Sequence, residues 1–359
     1  MSLDALRGFD MLFIMGFASL VVAVCGLWPS AVTDAAAASM SHVAWDGFAH
    51  HDTIFPLFLF IAGVSFPYSV AKQRAGGMSE GRIYAKIVRR GLTLVVLGMV
   101  YNGLFKLDFE NLRIASVLGR IGLAWSIAAV LYLNFGVKTR AAIAVAVLAG
   151  YGALSALVAA PDAAGAGPLT FEGNLAGYID RQFLPGKLIY GSFDPEGLLS
   201  TVPAVVTAML GMFTGEFVRR GDIRGGRKTL WMAAAAAALL AAGLALSGVL
   251  PVNKKLWSST FVCVVGAYSL GMFALFYYLI DVRGWRRWTL FFRVVGLNSI
   301  TIYLAQRIVG FGRISDFFLG GIASKCPEAV AAVISSAGYV AVCWLFLYFL
   351  YRKNVFLKV

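Results

Sequence analysis

The sequence predicts an all-α integral membrane protein with about ten transmembrane helices and both termini in the cytoplasm. Of its 359 residues, 60% are hydrophobic and 14% are charged, and the mean hydropathy is +0.78. Soluble domains carry about 45–50% apolar and about 25% charged residues, so this composition excludes a water-soluble protein. The apolar runs predict the number of transmembrane helices, and the distribution of the basic residues predicts their orientation.

Apolar runs close to the roughly 20 residues that a transmembrane helix needs recur along the whole chain. Proline marks several of the breaks between them, as at Trp28-Pro29 and Leu250-Pro251. The predicted spans are 9–28, 53–71, 91–105, 114–135, 141–160, 197–218, 229–250, 257–280, 289–310 and 328–351. No soluble domain interrupts them, so we expect residues 1–359 to form a single transmembrane domain.

The basic residues predict the orientation of these spans. The formal net charge is +13, which in a soluble protein would suggest binding to nucleic acid. In a membrane protein the positive-inside rule explains such a charge, and we expect no nucleic-acid partner. With the N-terminus inside, 20 lysines and arginines fall in inside segments, 9 in outside segments and 2 within spans. This split predicts that both termini are cytoplasmic.

The histidines of the chain are concentrated in one predicted outside segment, residues 40–63. The segment contains His42, His50 and His51 together with Asp46 and Asp52. Histidine is the side chain best suited to exchange a proton near neutral pH. An ordinary polar loop, in which Asp52 supports the first turn of a helix, is the alternative interpretation. Because His50 and His51 are adjacent and would point apart on a helix, we expect no metal site.

Two acids precede the predicted span 197–218. Asp194 and Glu196 flank Pro195, which we expect near the first turn of the helix, where proline is tolerated. A capped helix start explains part of this pattern. Two carboxylates near the outside mouth of the protein would also suit the orientation of a sugar or of a catalytic base.

Polar groups also occur near or inside the apolar spans. Ionisable groups within a membrane are costly and usually face a cavity or a partner. For Arg120, about six residues into its span, an interhelical ion pair is the alternative to a functional role. The other groups are Arg293 and Asn298 in the ninth span, and Asn253 and Lys254 just before the eighth.

Six segments, taken in order, resemble one known family. They are LDALRGFDM, HVAWDGFAHHDTIFPLFLFIAG, RIASVLGRIGLAW, FDPEGLLSTVPA, PVNKKLWSSTFV and VGLNSITIYL. Together they are similar to the heparan-α-glucosaminide N-acetyltransferase family of transmembrane acyltransferases, and especially to bacterial members often labelled N-acetylglucosamine-related transporters. The resemblance covers essentially the whole chain.

The resemblance implies an acyltransferase that moves the acetyl group of cytoplasmic acetyl-CoA to the amine of an extracytoplasmic, glucosamine-type sugar. It also implies a homodimer in the bacterial inner membrane. The family's catalytic histidine lies in the pattern His-x-x-Trp-(Asn/Asp)-Gly, which here assigns His42 as general base and places Trp45 and Asp46 beside it. Asp52 would orient His42 and stabilise its imidazolium form. Direct transfer is preferred over an acetyl-histidine intermediate.

The remaining candidate residues divide between the two substrates. We expect acceptor binding or oxyanion stabilisation from Trp45, Asp46, Asp194, Glu196, Arg120, Asn253, Lys254 and Asn298. We expect acetyl-CoA, a co-substrate with a polyanionic nucleotide, to be held by Arg7, Arg89, Arg90 and Arg293. Arg7 would be oriented by Asp10, one helical turn along the chain.

A transporter of an amino sugar or of N-acetylglucosamine, without chemistry, is the alternative function. Polar residues within membrane spans serve transporters equally well. Transporters often contain an internal repeat, however, and we find none between the two halves of this sequence. Binding of acetyl-CoA distinguishes the two functions.

Overall fold

A computed structural model describes residues 1–357, and every regular element within that range is a helix. Lys358, one of the basic residues counted on the inside, lies outside the described residues. The α-helices are α1 Ser2–Leu12, α2 Ala18–Cys25, α3 Ala31–Ala38, α4 His50–Ala75, α5 Glu80–Tyr101, α6 Val117–Asn134, α7 Val137–Leu157, α8 Leu175–Phe183, α9 Leu198–Arg219, α10 Gly225–Leu246, α11 Ser259–Phe276, α12 Thr289–Leu297, α13 Ser299–Ile308, α14 Phe311–Ala323 and α15 Glu328–Arg352. The all-α prediction is confirmed for this range.

Eight helical segments in the described range are long and apolar enough to cross a membrane. They are Ser2–Cys25, His50–Ala75, Val117–Asn134, Val137–Leu157, Leu198–Arg219, Gly225–Leu246, Ser259–Val282 and Glu328–Arg352. Each overlaps one predicted span. The protein is therefore a multi-pass membrane protein, whereas the number ten and the sidedness of the termini stay predictions.

The two other predicted spans differ from these eight for identifiable reasons. The run 91–105 lies mostly in the second half of α5, a helix whose first half carries five charged residues. Eleven uncharged residues of α5 reach about 16 Å, half of a hydrocarbon core of about 30 Å. The run 289–310 is two short helices, α12 and α13, because the helix breaks at Asn298.

The chain divides into two compact units. Among the described residues, the terminal unit comprises Met1–Val43, Ala49–Ile54 and residues 275–357, and the central unit comprises Ala44–Phe48 and Phe55–Ala274. The predicted single domain thus contains two structural units.

In the terminal unit, α1 packs directly on α12. A Cβ atom added at Gly8 would overlap the carbonyl oxygen of Phe292, and one added at Gly296 would overlap the carbonyl oxygen of Asp4. Small residues allow this backbone approach, which is the usual way in which membrane helices associate. The first span is interrupted by a π-helical turn, Phe13–Phe17, where Gly16 has a φ of 116°. Residues around Arg7 and Arg293 are therefore on closely packed helices.

The central unit packs around α4, α6, α9 and α11. Its core is apolar and includes Phe66, Trp125, Met209, Trp257 and Phe261. Glycine again permits close contact, since a Cβ at Gly211 would overlap the carbonyl oxygen of Phe60 across the α4–α9 interface. The candidate site residues of the central unit lie on segments that pack against this core.

Candidate active site

His42 and Asp52 form a hydrogen-bonded pair in the terminal unit. His42 lies in the loop before α4, and Asp52 lies in the first turn of that helix. The imidazole Nδ1 is 2.7 Å from Asp52 Oδ1, and the backbone N–H of Val43 donates to Asp52 Oδ2 at 3.3 Å. Asp52 is 2% exposed, whereas His42 is 53% exposed. A buried carboxylate therefore fixes an imidazole that solvent can reach.

The other two histidines lie beside this pair in the same unit. The rings of His42 and His51 have centroids 4.6 Å apart, and His50 packs against Phe13 with centroids 4.3 Å apart. The backbone N–H of His51 donates to the carbonyl oxygen of Ser39 at 3.0 Å, which fixes the start of α4. Within residues 1–357, no group of three or more His, Cys, Asp or Glu side chains is arranged to hold a metal ion.

Trp45 and Asp46 belong to the central unit, where both side chains bond to backbone. The Trp45 indole donates to the carbonyl oxygen of Leu169 at 2.9 Å. Asp46 Oδ1 accepts from the backbone N–H of Val252 at 2.8 Å, and Gly47 N–H donates to the Val252 carbonyl at 3.0 Å. The motif around Trp45 is therefore attached to the segment that contains Asn253.

Asp194 and Glu196 share a cation that the sequence argument did not assign to the site. The Arg113 guanidinium donates to both oxygens of Asp194 at 2.6 Å, and it also donates to Glu196. In the sequence analysis Arg113 is counted only as one of the nine outside basic residues, although the segment RIASVLGRIGLAW, which carries part of the family resemblance, begins with this arginine. The structure places Pro195 two residues before Gly197, the N-cap of α9, which begins at Leu198. This position agrees with the expectation of a proline near the first turn.

Asp180 on α8 is a second residue that sequence reasoning missed. Its carboxylate is fully buried and accepts from the backbone N–H groups of Leu198 at 2.9 Å and Asp194 at 3.2 Å. Asp180 thereby satisfies an N–H group at the start of α9. Burial raises the pKa of Asp180 to about 6, with Asp194 adding to the increase and the two backbone donors opposing it.

Arg120 on α6 lies next to this network, 2% exposed. One Nη atom donates to Ser200 Oγ and, at 3.5 Å, to the carbonyl oxygen of Gly197. The guanidinium carbon is 5.0 Å from the centre of the Trp257 ring. Its Nε and other Nη atoms make no hydrogen bond within the described residues. The alternative of an interhelical ion pair is not realised in residues 1–357, and two buried donors are left without acceptors.

Asn253 is a buried amide in the turn that precedes α11. It is fully buried, its Oδ1 accepts from Leu256 N–H at 2.9 Å, and its Nδ2 has no acceptor in the described residues. Lys254 is in the same turn and accepts at its carbonyl from Trp257 N–H at 3.1 Å. Trp257, in the same turn, has a φ of 52° and no exposed surface. The Ser258 N–H donates to the Asn253 carbonyl oxygen at 3.0 Å, so the hydrogen bonds of the turn hold Asn253 in place.

In the terminal unit, Asn298 occupies the break between α12 and α13. It is 1% exposed, and its Nδ2 makes no hydrogen bond within the described chain. Arg293, on α12, likewise has a buried Nε with no acceptor among residues 1–357. Both groups are hydrogen-bond donors for which the described part of the chain supplies no acceptor.

Arg7 pairs with a different acid from the one expected. Its Nη1 is 3.5 Å from Asp4 Oδ1, whereas Asp10 is 2% exposed and its Oδ2 has no hydrogen bond in the described region. Helical side chains lean toward the N-terminus, which brings Arg7 toward Asp4 rather than Asp10. The predicted Arg7–Asp10 pair was therefore wrong.

The remaining two predicted nucleotide ligands are on α5, in the central unit. The Arg90 guanidinium carbon is 4.3 Å from the centre of the Trp125 ring, and Arg89 is exposed. The four predicted arginines thus divide between the units, with Arg7 and Arg293 in the terminal one.

Comparison with known proteins shows which family the chain resembles. The family model described as "Heparan-alpha-glucosaminide N-acetyltransferase, catalytic" matches residues 1–248. Heparan-alpha-glucosaminide N-acetyltransferase of Homo sapiens is 27% identical over 89% of this chain and 55% of its own length. The Mus musculus protein of the same name is 26% identical over 89% of this chain and 56% of its own length. The chain spans about half the length of these curated relatives. It belongs to the heparan-alpha-glucosaminide N-acetyltransferase family.

Proposed function

We propose that this protein is a transmembrane acetyltransferase that transfers the acetyl group of cytoplasmic acetyl-CoA to the amine of an extracytoplasmic, glucosamine-type sugar. The observation that carries the proposal is the pair formed by His42 and Asp52, in which a half-exposed imidazole is 2.7 Å from a buried carboxylate. The relatives named above are transferases, which supports this reaction over transport of a sugar without chemistry.

The pair suits general base catalysis. With its Nδ1–H donating to Asp52, the imidazole of His42 has its basic lone pair at Nε2. The amine of the sugar attacks the thioester carbonyl carbon, and His42 removes the proton that the nitrogen loses. The new C–N bond forms, the C–S bond breaks, and the CoA thiolate leaves and is protonated. Asp52 stabilises the imidazolium during this step. We favour this direct transfer over an acetylated His42 because it needs fewer steps.

The tetrahedral intermediate needs hydrogen-bond donors for its oxyanion. Of the residues proposed for the acceptor or the oxyanion, Asn298 in the terminal unit and Arg120 and Asn253 in the central unit have buried donor atoms without a hydrogen bond in the described residues. Burying such donors without acceptors costs about 1–3 kcal/mol each, so a ligand that supplies the acceptors explains their retention. We assign to them the binding of substrate oxygens.

The two substrates differ in the charge of the groups that would hold them. The phosphates of acetyl-CoA require cations, and the arginines proposed for this role are Arg7, Arg89, Arg90 and Arg293. The buried Nε of Arg293, which has no hydrogen bond within residues 1–357, supports this assignment. The acceptor would contact the polar and aromatic groups Trp45, Asp46, Asp194, Glu196 and Lys254. The proposal includes a homodimer in a bacterial inner membrane.

Acetyl transfer by the purified protein tests the proposal. Radiolabelled acetyl-CoA is incubated with a panel of amino sugars and with wild type, His42→Gln and the matched control His50→Gln. Loss of a general base lowers the rate by about 10²–10⁴-fold, so His42→Gln is expected to lose activity on that scale while binding acetyl-CoA normally. His50→Gln is expected to retain activity, because His50 packs against Phe13.

Asp52 acts through His42 and is a positioning residue. Asp52→Asn keeps the side-chain shape but removes the charge that favours imidazolium. The plot of activity against pH should therefore shift to lower pH, and the maximum activity should fall.

Unchanged activity of His42→Gln would contradict the assignment of His42 as the general base. If the protein binds no acetyl-CoA but moves labelled sugar into liposomes, the proposed acetyltransferase function is contradicted and the alternative function as a transporter is supported.

A further inference from the structure

An apolar groove in the central unit lies between α9 and α10, over α11. Its volume is about 440 Å³, within the roughly 300–1,000 Å³ typical of ligand pockets. The side chains along its walls are Leu210, Phe213, Phe217, Trp231 and Leu239, and Gly266 is at its floor. Trp231 is 60% exposed, so the groove is open on the outer side of α10.

One end of the groove is strongly basic. Residues Arg219–Lys228, which run from the end of α9 through the connecting turn into the first turn of α10, contain five basic residues and one acid. The acid, Asp222, is paired with Arg220. Arg224 and Arg227 are exposed, and neither guanidinium group has a hydrogen bond or an ion pair in the described residues. Arg227 precedes Trp231 by one helical turn, so this cation and the groove share one face of α10.

We propose that this groove binds an anionic phospholipid, with the phosphate headgroup at Arg224 and Arg227 and an acyl chain between α9 and α10. Trp231 to Leu239 spans about 12 Å of helix at 1.5 Å per residue. One leaflet of a hydrocarbon core of about 30 Å is about 15 Å deep. The groove therefore has the depth of an acyl chain in a single leaflet, and Trp231 is next to the headgroup level, where tryptophan is enriched.

The chemistry of the lining favours a lipid over the other phosphate-bearing ligand of this protein, acetyl-CoA. The pantetheine arm of acetyl-CoA contains two amides, which need hydrogen-bond partners when buried. The hydroxyl of Thr214, in the groove wall, already donates to the Leu210 carbonyl at 2.8 Å. The other lining residues are apolar apart from the Trp231 indole N–H. An acyl chain requires no such partner, and basic pockets between membrane helices are typical sites for anionic headgroups.

Lipid binding to the purified full chain tests this inference. The protein in a mild, lipid-free detergent is titrated with fluorescently labelled phosphatidylglycerol and, separately, with the same label on phosphatidylcholine. Each basic residue near a membrane surface contributes about 1 kcal/mol to binding of anionic lipid, so Arg224→Gln/Arg227→Gln should weaken phosphatidylglycerol binding about 30-fold. The matched control is Arg82→Gln/Arg287→Gln, which removes two exposed arginines elsewhere and should leave binding unchanged.

A second variant tests the groove independently of the charges. Ala235 is exposed and lines the groove, so Ala235→Trp fills the groove without displacing a buried residue. It should reduce phosphatidylglycerol binding at least 10-fold while acetyl-CoA binding remains normal. Equal affinity for the two lipids, or unchanged affinity in both variants, would overturn the proposal. Displacement of the labelled lipid by acetyl-CoA would also overturn it and would assign the groove to the donor substrate. These readouts do not depend on acetyl transfer.

Discussion

The substitution Asp180→Asn tests how the buried carboxyl on α8 contributes to stability at different pH values. Asp180 is fully buried, and burial raises its pKa from the ordinary 3.8 to about 6. A shift of about two pKa units corresponds to about 3 kcal/mol of interaction that favours the neutral form. At pH 7.5 the folded protein carries the ionised form, so it bears this cost.

The sign of the pH dependence follows from proton binding. Because the pKa of Asp180 is higher in the folded state, the folded protein holds more protons than the unfolded chain between about pH 4 and pH 6. Lowering the pH through this window therefore stabilises the fold. Asparagine resembles the neutral acid, so Asp180→Asn should be more stable than wild type at pH 7.5 and equal to it near pH 4.

Thermal unfolding in detergent, followed by tryptophan fluorescence, measures the difference. With an unfolding entropy of about 2.1 cal/mol/K per residue, 3 kcal/mol corresponds to a Tm increase of about 4 °C for a chain of this length. Asp162→Asn is the matched control. Asp162 is half-exposed and paired with Arg181, whose hydrogen bond lowers the pKa of Asp162. The substitution Asp162→Asn should therefore lower the stability of the protein slightly at pH 7.5.

An Asp180→Asn protein that is less stable than wild type at every pH would refute this reasoning. Such a result would mean that the carboxylate stabilises the fold, as acceptor for the N–H groups of Leu198 and Asp194, by more than its burial costs.

Three other substitutions test the site and its orientation. Arg113→Ala leaves the buried Asp194 carboxylate without its cation; because breaking a buried ion pair costs about 3–5 kcal/mol, a clear fall in Tm is expected, and an unchanged Tm would contradict the network. Arg7→Ala should raise the Kd for acetyl-CoA and leave the KM for the acceptor unchanged; equal effects on both would indicate a structural role instead. In a background without native cysteines, Ser41→Cys should react with an impermeant thiol reagent on intact cells and Gly226→Cys should not, and the reverse pattern would invert the predicted topology.

The sequence by itself determined the class of the protein and most of its membrane-spanning helices. A bilayer imposes a simple requirement, about 20 apolar residues per span, and composition shows directly where a chain meets it. The histidine of the proposed pair was also identifiable, because the pattern around His42 is local and characteristic of a family. In α5 an uncharged run supplies only about half of the required 20 residues, and the predicted span 91–105 is longer than the uncharged part of this helix.

Only the tertiary structure decided which polar groups meet. Arg113 is 81 residues from Asp194, and Asp180 is 18 residues from Leu198, so no local pattern reports either contact. The choice of Asp4 over Asp10 as the partner of Arg7 depends on the direction in which helical side chains lean. Hydrogen bonds and ion pairs depend on distances of a few ångströms between atoms in the folded structure. The hydrophobic pattern, in contrast, depends on the order of residues and can be read from the sequence. The fold class could therefore be predicted from sequence, and the polar geometry of the site required the fold.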